Sequence, residues 1–373
     1  MLPMTISVLN SSVAAEMSET VLTILLLSLT VSYGAATELN LECITPGGGH
    51  GRCVPVSSCK FAISILRSKS FTQSDKIYLD QFRCGELPNS RKILVCCPEL
   101  RSEERCGRLT LEDYILGGEE TDPDEYPWTA MLAYEGISGR RSYGCGGTLI
   151  NERYVVTAAH CVDALRVRKL VAVRLGEWDL DTTEDCRGSR CFVEYQDDYT
   201  VEKVIVHENY SNQNLNKIND IALIKLNSTV ERTELVAPIC IPTLEMAKSM
   251  QVEGTSFDVA GWGKTETGFL SRRKLKVSLP GQPIETCNTA FAAANVTFSG
   301  KQICAGGVDG KDSCKGDSGG PLMLIMNNRW HLVGIVSLGA KPCGKQGIPG
   351  VYTRFGEYLD WVAAKIELEK RGN

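Results

Sequence analysis

The chain has 373 residues, of which 43% are hydrophobic and 23% charged, with a formal net charge of −5. That length accommodates two or more domains, the composition is ordinary for a globular protein, and the charge gives no ground for nucleic-acid binding. Sixteen cysteines stand against four histidines, with no metal-type Cys/His cluster, so eight disulfides in an oxidising compartment are expected.

The N-terminus agrees. The apolar run Val21–Val31 is too short to span a bilayer, and the small residues Gly34, Ala35 and Ala36 follow it. Residues 1–36 read as a secretory signal peptide cleaved after Ala36. No Lys or Arg precedes the run, which makes Met17 an alternative start. No second apolar run of membrane length occurs. Sequons at Asn209, Asn227 and Asn295 offer glycosylation sites that fit secretion.

Cys43, Cys53, Cys59, Cys84, Cys96 and Cys97 crowd one short segment. So small a piece buries little core, so three disulfides are expected to hold it, and spacing alone does not choose the pairing. Val56–Leu66 is expected as a helix and Lys92–Val95 as a strand ending at the cysteine pair. Residues 98–114 form a charged linker with one cysteine, Cys106, whose partner must lie further on.

From Ile115 onward the pattern changes. Short apolar runs at Gly147–Ile150, Tyr154–Ala158, Leu170–Leu175, Ile221–Leu226, Ser256–Gly261, Pro321–Met326 and Leu332–Val336 are separated by Gly, Asn and Asp. This predicts an all-β sandwich or barrel. Tyr358, Trp361, Val362 and Ile366 recur at helical spacing, so a helix is expected over Tyr358–Leu368.

Three stretches carry chemistry. His160 lies in Thr-Ala-Ala-His-Cys, Asp220 opens Asp-Ile-Ala-Leu-Ile-Lys-Leu, and Ser318 lies in Gly-Asp-Ser-Gly-Gly-Pro. A serine hydroxyl needs a base, an orienting group for that base, and N–H donors for the oxyanion. An aspartate that accepts the imidazole N–H fixes the tautomer and lets histidine act as that base. His207 and His331 have no such company and read as structural.

These motifs resemble the chymotrypsin family of trypsin-like serine proteases over residues 115–373. The six-cysteine segment, residues 43–97, resembles the clip domain of arthropod serine proteases, a recruitment or regulatory module. The resemblance implies a double six-stranded antiparallel β-barrel with a C-terminal helix, preceded by a small disulfide-rich α+β domain. It implies catalytic His160, Asp220 and Ser318, with oxyanion donors at Gly316 and Ser318. The implied disulfides are Cys43–Cys96, Cys53–Cys84, Cys59–Cys97, Cys106–Cys240, Cys145–Cys161, Cys287–Cys304 and Cys314–Cys343, leaving Cys186–Cys191 to pair locally. Cys106–Cys240 would keep the clip domain attached after cleavage. Asp312 falls at the floor of the primary specificity pocket, with Gly339 and Gly350 on its walls. A buried carboxylate there selects Arg or Lys. Leu338 replaces the family's usual Trp, and Pro349 matches the form that does not bind sodium.

The resemblance further implies activation by cleavage before Ile115, whose new amine pairs with Asp317. The preceding residue is Tyr114, where most clip proteases carry Arg or Lys, so an enzyme with Asp312 in its pocket is not expected to activate itself. Cleavage at Arg105 or Arg108 would leave extra residues ahead of Ile115. No cofactor is expected for catalysis. The family has a calcium loop at the acid-rich segment after Gly176, where Glu177, Asp179, Thr182 and Asp185 would be ligands. The expected function is a secreted haemolymph endopeptidase zymogen of a melanisation, Toll-ligand or clotting cascade. Its partners would be a downstream zymogen or pro-protein, an upstream protease and a serpin, without nucleic acid or a membrane span. The alternatives are a non-catalytic clip-protease-like cofactor and a digestive trypsin.

Overall fold

A computed structural model describes residues 39–87, 90, 92–109, 119–163, 168–187, 190–193, 197–265, 269–310, 312–339 and 343–371. The signal segment, Tyr114 and Ile115 lie outside the described residues. The chain divides into two compact units at Pro98–Glu99.

The first unit pairs β1 (Glu42–Ile44), β2 (His50–Pro55), β3 (Arg83–Glu86) and β4 (Ile93–Pro98) in one antiparallel sheet of order β1-β2-β4-β3. Helices α1 (Lys60–Leu66) and α2 (Gln73–Asp80) complete it. Its buried aromatics are few: Phe82 lies 4.9 Å from Phe61 and 5.1 Å from Tyr78, ring centre to ring centre. Covalent bonds supplement that core, as Cys43–Cys96, Cys53–Cys84 and Cys59–Cys97. The expected helix over Val56–Leu66 is broken. A 3₁₀ turn at Val56–Ser58 precedes α1, because Cys59, bonded to Cys97, is extended. The strand expected to stop at Val95 runs on to Pro98, because Cys96 and Cys97 pair with Cys53 and Arg52 in β2. Helix α2 was not expected; it starts on a capping box, in which Thr72 Oγ1 accepts from Asp75 N while Asp75 Oδ2 accepts from Thr72 N.

In the second unit, β5 (Glu119–Glu120) leads into a closed six-stranded barrel. Its members are β6 (Thr129–Gly136), β7 (Arg141–Asn151), β8 (Tyr154–Thr157), β9 (Arg168–Leu175), β12 (Asp197–Val206) and β13 (Ala222–Leu226). A one-turn helix, α3 (Ala159–Val162), follows β8. A side hairpin of β10 (Glu184–Arg187) and β11 (Arg190–Val193) carries Cys186–Cys191. The second barrel uses β14 (Ser256–Gly261), β15 (Leu275–Gln282), β16 (Gln302–Gly306), β17 (Pro321–Met326), β18 (Arg329–Leu338) and β19 (Pro349–Arg354). It runs β14-β17-β18-β19-β16-β15, the β14–β15 pairing closes it, and β5 joins the outer side of β15. Closure removes the free edges that open sheets leave exposed. Two short helices, α4 (Leu244–Ser249) and α5 (Ile284–Ala290), precede the terminal α6 (Leu359–Lys370). Helix α6 begins at Leu359, one residue later than expected, because Phe355–Tyr358 form a 3₁₀ turn.

Glu99–Leu109, expected as an exposed linker, belongs to the second unit. Ser102 Oγ donates to Ile241 O and accepts from Ile241 N, and Gly107 donates to Pro238 O and accepts from Trp330 N. Gly107 has φ +56°, and a Cβ there would lie 2.2 Å from Trp330 O, so only glycine fits. Cys106–Cys240 fastens the same segment.

Candidate active site

The end of the first barrel and the return loops of the second meet at three side chains. α3 places His160 directly after β8, and Asp220 lies two residues ahead of β13. Because β8 pairs with β13 from Thr157↔Ala222 onward, strand register brings imidazole and carboxylate together. His160 Nδ1 lies 2.8 Å from Asp220 Oδ2, and His160 N donates to Asp220 Oδ1 at 2.9 Å. A carboxylate facing Nδ1 holds the proton there and leaves Nε2 free to accept. Asp220 is fully buried (0% exposed) and takes a further donor, Ser337 Oγ, at 2.5 Å. Thr353 Oγ1 donates to Asp220 O at 2.8 Å. Burying a carboxylate costs free energy unless its oxygens are hydrogen-bonded, and these donors supply the bonds. Ser337, from β18, and Thr353, from β19, were not picked out by sequence, although Ser337 stands in the Ser-Leu-Gly stretch read for its leucine.

Ser318 sits on a turn tied to both barrels. Its carbonyl accepts from Gly146 N of β7, and Gly319 N donates to Val336 O of β18. Gly319 has φ +82°, and a Cβ there would lie 2.2 Å from Thr157 Oγ1. Among the described residues the Ser318 hydroxyl has no hydrogen-bond partner. His160 Nε2 has Cys161 Sγ at 3.8 Å, within the Cys145–Cys161 disulfide. Catalytic contacts of this kind commonly close only around substrate.

Lys315 O accepts from Lys264 N at 2.9 Å, which turns that carbonyl away from the serine. The peptide is planar, so the Gly316 N–H points the opposite way. Gly316 has φ +117°, and among the described residues neither its N–H nor that of Ser318 has an acceptor. Two unpaired N–H groups beside a serine can receive an oxyanion.

Asp312 lies six positions before Ser318, beside Gly350, whose added Cβ would lie near both Asp312 and Tyr352; Ser313 Oγ lies 3.0 Å from Tyr352 Oη. Asp312 Oδ1 is buried with no donor among the described residues, and Gly344 N approaches Oδ2 only at 3.4 Å. Burial pushes its pKa up to about 6. A Cβ on Gly350 would lie 3.3 Å from Asp312 Oδ1 and 3.0 Å from Tyr352 Oη, whereas one on Gly339 would meet nothing nearer than Ser313 O at 4.0 Å. The side at Gly339 is open, and among the described residues no cation lies beside the carboxylate. Cys314–Cys343 pins the loop. Leu338 packs on the cluster of Cys287, Val296, Phe298, Cys304 and Val351, alongside Cys287–Cys304.

Asp317 points away from the pocket. Its Oδ1 accepts from Gly263 N at 2.8 Å and its Oδ2 from Cys314 N at 2.9 Å. The residue keeps some surface, yet its carboxylate is desolvated and its pKa is raised. Cβ atoms on Gly261 and Gly263 would lie 2.4 and 2.1 Å from its oxygens. Its pairing with Ile115 lies outside the described residues.

The acidic loop does not fit calcium. Arg174 Nη1 donates to Glu177 Oε2 at 3.1 Å, and Arg273 Nε donates to Asp179 Oδ2 at 2.7 Å. Asp185 accepts from Thr182 Oγ1 at 2.6 Å and from Asp179 N at 3.4 Å. The expected ligands are thus spent on guanidinium, hydroxyl and backbone donors, and they do not converge on a common point. The reason is sequence-distant: Arg273 comes from the loop before β15. The clusters that do converge, Cys145–His160–Cys161 and Glu184–Cys186–Cys191, hold their sulfurs in disulfides and offer no thiolate.

His207 stacks on Trp361 at 5.0 Å, and His331 Nδ1 lies 2.9 Å from Arg329 O, both remote in bonding from the triad. Asn209, Asn227 and Asn295 are all exposed.

A Ser–His–Asp constellation between two closed six-stranded β-barrels, with unpaired N–H donors beside the serine, defines a serine protease. Family models for "Trypsin" match residues 115–362 and for "Regulatory CLIP domain of proteinases" residues 43–97. The chain therefore belongs to the trypsin family of serine proteases and carries a clip domain. It is 41% identical to CLIP domain-containing serine protease B4 of Anopheles gambiae, covering 89% of this chain and 93% of that one. Its identity to the Spaetzle-processing enzyme of Drosophila melanogaster is 36%, over 94% and 100%. The crystal structure of the Drosophila Grass clip serine protease of the Toll pathway superposes with a TM-score of 0.64 at 33% identity, over 90% of this chain and 99% of that one.

Proposed function

We propose that the protein is a secreted zymogen whose active form cleaves protein substrates after Arg or Lys within an extracellular immune cascade. The observation that carries the specificity is Asp312 Oδ1, buried without a donor among the described residues. An arginine or lysine side chain supplies the missing cation, and an apolar side chain leaves the carboxylate unanswered. In this reading Ser318 attacks the scissile carbonyl, His160 takes its proton and returns it to the leaving amine, and Asp220 holds the imidazole. Gly316 and Ser318 N–H stabilise the oxyanion. Relatives named as a phenoloxidase-activating factor of Holotrichia diomphalia, 41% identical, and as a Spaetzle-processing enzyme support a cascade role with a zymogen or pro-protein as substrate. A serpin would complete the set of partners.

Activation in this reading follows cleavage between Tyr114 and Ile115, after which the Ile115 amine neutralises Asp317. The pocket that receives Arg or Lys does not favour Tyr114, so an upstream protease with an apolar pocket performs the cut. Incubating zymogen with a trace of its active form should leave Tyr114–Ile115 intact, and rapid N-terminal exposure of Ile115 would refute this. For the activity itself, activated protein should react with a fluorophosphonate probe at Ser318 and cleave a peptide library after Arg and Lys. Folded protein inert to both would mark a non-catalytic cofactor.

A further inference from the structure

We infer that a strip of cationic side chains on the first barrel engages an acidic segment of the protein substrate, several residues beyond the scissile bond. This rests on the endopeptidase reading above. The direction of the leaving chain follows from the triad. His160 Nε2 must meet the leaving amine, and Cys161 Sγ lies 3.8 Å from that nitrogen. Cys161 is bonded to Cys145, a residue of β7. Cys145, Gly144 and Tyr143 line a cavity together with Leu270 and Gly316, the oxyanion glycine. The substrate chain after the cut therefore runs along β7 towards the β6–β7 turn.

That turn is basic. Arg140 and Arg141 are exposed there. Glu135 of β6 faces Arg141 on one side and Lys169 of β9 on the other, and Gly136 faces Arg168. Arg168 stacks over the Tyr134 ring at 4.2 Å, and its Nη1 lies 3.0 Å from where a Cβ of Gly144 would stand. Its guanidinium thus overhangs the strand that lines the cavity. Among the described residues Arg140, Arg168 and Lys169 have no carboxylate partner, and Arg141 reaches Asp198, which is half-buried and already bonded to Arg174, only at 3.6 Å. Ile137, 88% exposed at the tip, adds an apolar contact. Mixed charge with an exposed aliphatic suits a peptide carrying Asp or Glu better than a uniform polyanion. From Cys145 to Arg141 a strand covers about 13 Å, so the acidic residues belong about four to six positions after the cut.

The test uses activated enzyme and three substrates: a short arginyl amide with nothing beyond the cut, and two longer peptides with Asp/Glu or Ser/Gly at those positions. Wild type should cleave the acidic peptide with a kcat/KM about tenfold higher than the neutral one, an advantage that shrinks in about 0.5 M NaCl. Arg140→Glu with Arg141→Glu should abolish the preference, Arg168→Gln should reduce it, and the short amide should be cleaved at the wild-type rate by both variants. Equal cleavage of the two peptides by wild type, or a preference that survives both variants, overturns the proposal. Heparin binding without a peptide preference also overturns it, in favour of a polysaccharide surface. Failure to cleave even the short amide would instead overturn the endopeptidase reading, so the two failures are distinguishable.

Discussion

Asp312→Asn should stabilise the protein while removing its specificity, and the size of the gain should depend on pH. Burial holds the folded-state pKa of Asp312 up to about 6. An unfolded aspartate titrates near 3.9. Between about pH 4 and 6 the folded state therefore binds more protons than the unfolded chain, and stability falls as pH rises through that window. A shift of about two units corresponds to about 3 kcal/mol, present in full as a burden above pH 6 and absent below pH 4. Asparagine cannot ionise and so lifts the burden. The assay is denaturant unfolding of the Asp312→Asn variant against its parent, both carrying Ser318→Ala to prevent self-digestion. The stability gap should be about 2–3 kcal/mol at pH 7.5 and close to zero at pH 4. A gap independent of pH would refute the reasoning, because it would mean the carboxylate is not desolvated. Restoring Ser318 in the asparagine variant should leave cleavage after Arg or Lys reduced by about a thousandfold or more, since the buried cation then lacks its partner.

Three more outcomes follow from named contacts. Ser337→Ala removes the 2.5 Å donor to Asp220 Oδ2 and should lower kcat on an arginyl amide about tenfold with little change in KM; a wild-type kcat would show that His160 alone holds Asp220. Millimolar Ca²⁺ or a chelator should leave the melting temperature unchanged, whereas Arg273→Ala, which strips Asp179 and Glu120 of their guanidinium, should cost about 1–2 kcal/mol; a calcium-dependent rise in the wild type would show that the acidic loop does form a cage.

Legibility followed the range of the interaction. Ser256–Gly261 and Pro321–Met326 have the same bounds in sequence and structure: the first alternates buried Phe257 and Val259 with polar residues, and the second is a continuous apolar run. β15 was passed over because it contains Pro280 and Gly281, and its strand state comes from pairing with β14 and β16. β19 opens on Pro349-Gly350 and was hidden for the same reason. The residues proposed for triad and pocket can be named from sequence because their neighbours form local motifs. Ser337 cannot, since its contact with Asp220 spans 117 positions and has no local sequence mark. The acidic loop misled in the same way: the carboxylates are adjacent in sequence, but the arginine that answers Asp179 lies 94 positions away.

Asp312 and Asp317 show what holding this site together requires. Both carboxylates are raised by burial, and among the described residues both are met only by backbone N–H groups. Each could therefore take a cation, and the two belong to one loop. One opens on a pocket where Gly339 leaves space for a long side chain. The other is enclosed by Gly261 and Gly263, where even a methyl group would collide. In the proposed activation, the Ile115 amine takes that place and fixes the loop. Asp312, which has no cation beside it among the described residues, is then answered by the substrate. Cys314–Cys343 and the Lys264–Lys315 backbone bond hold the two ends of that loop, which lowers the ordering cost either cation would have to meet.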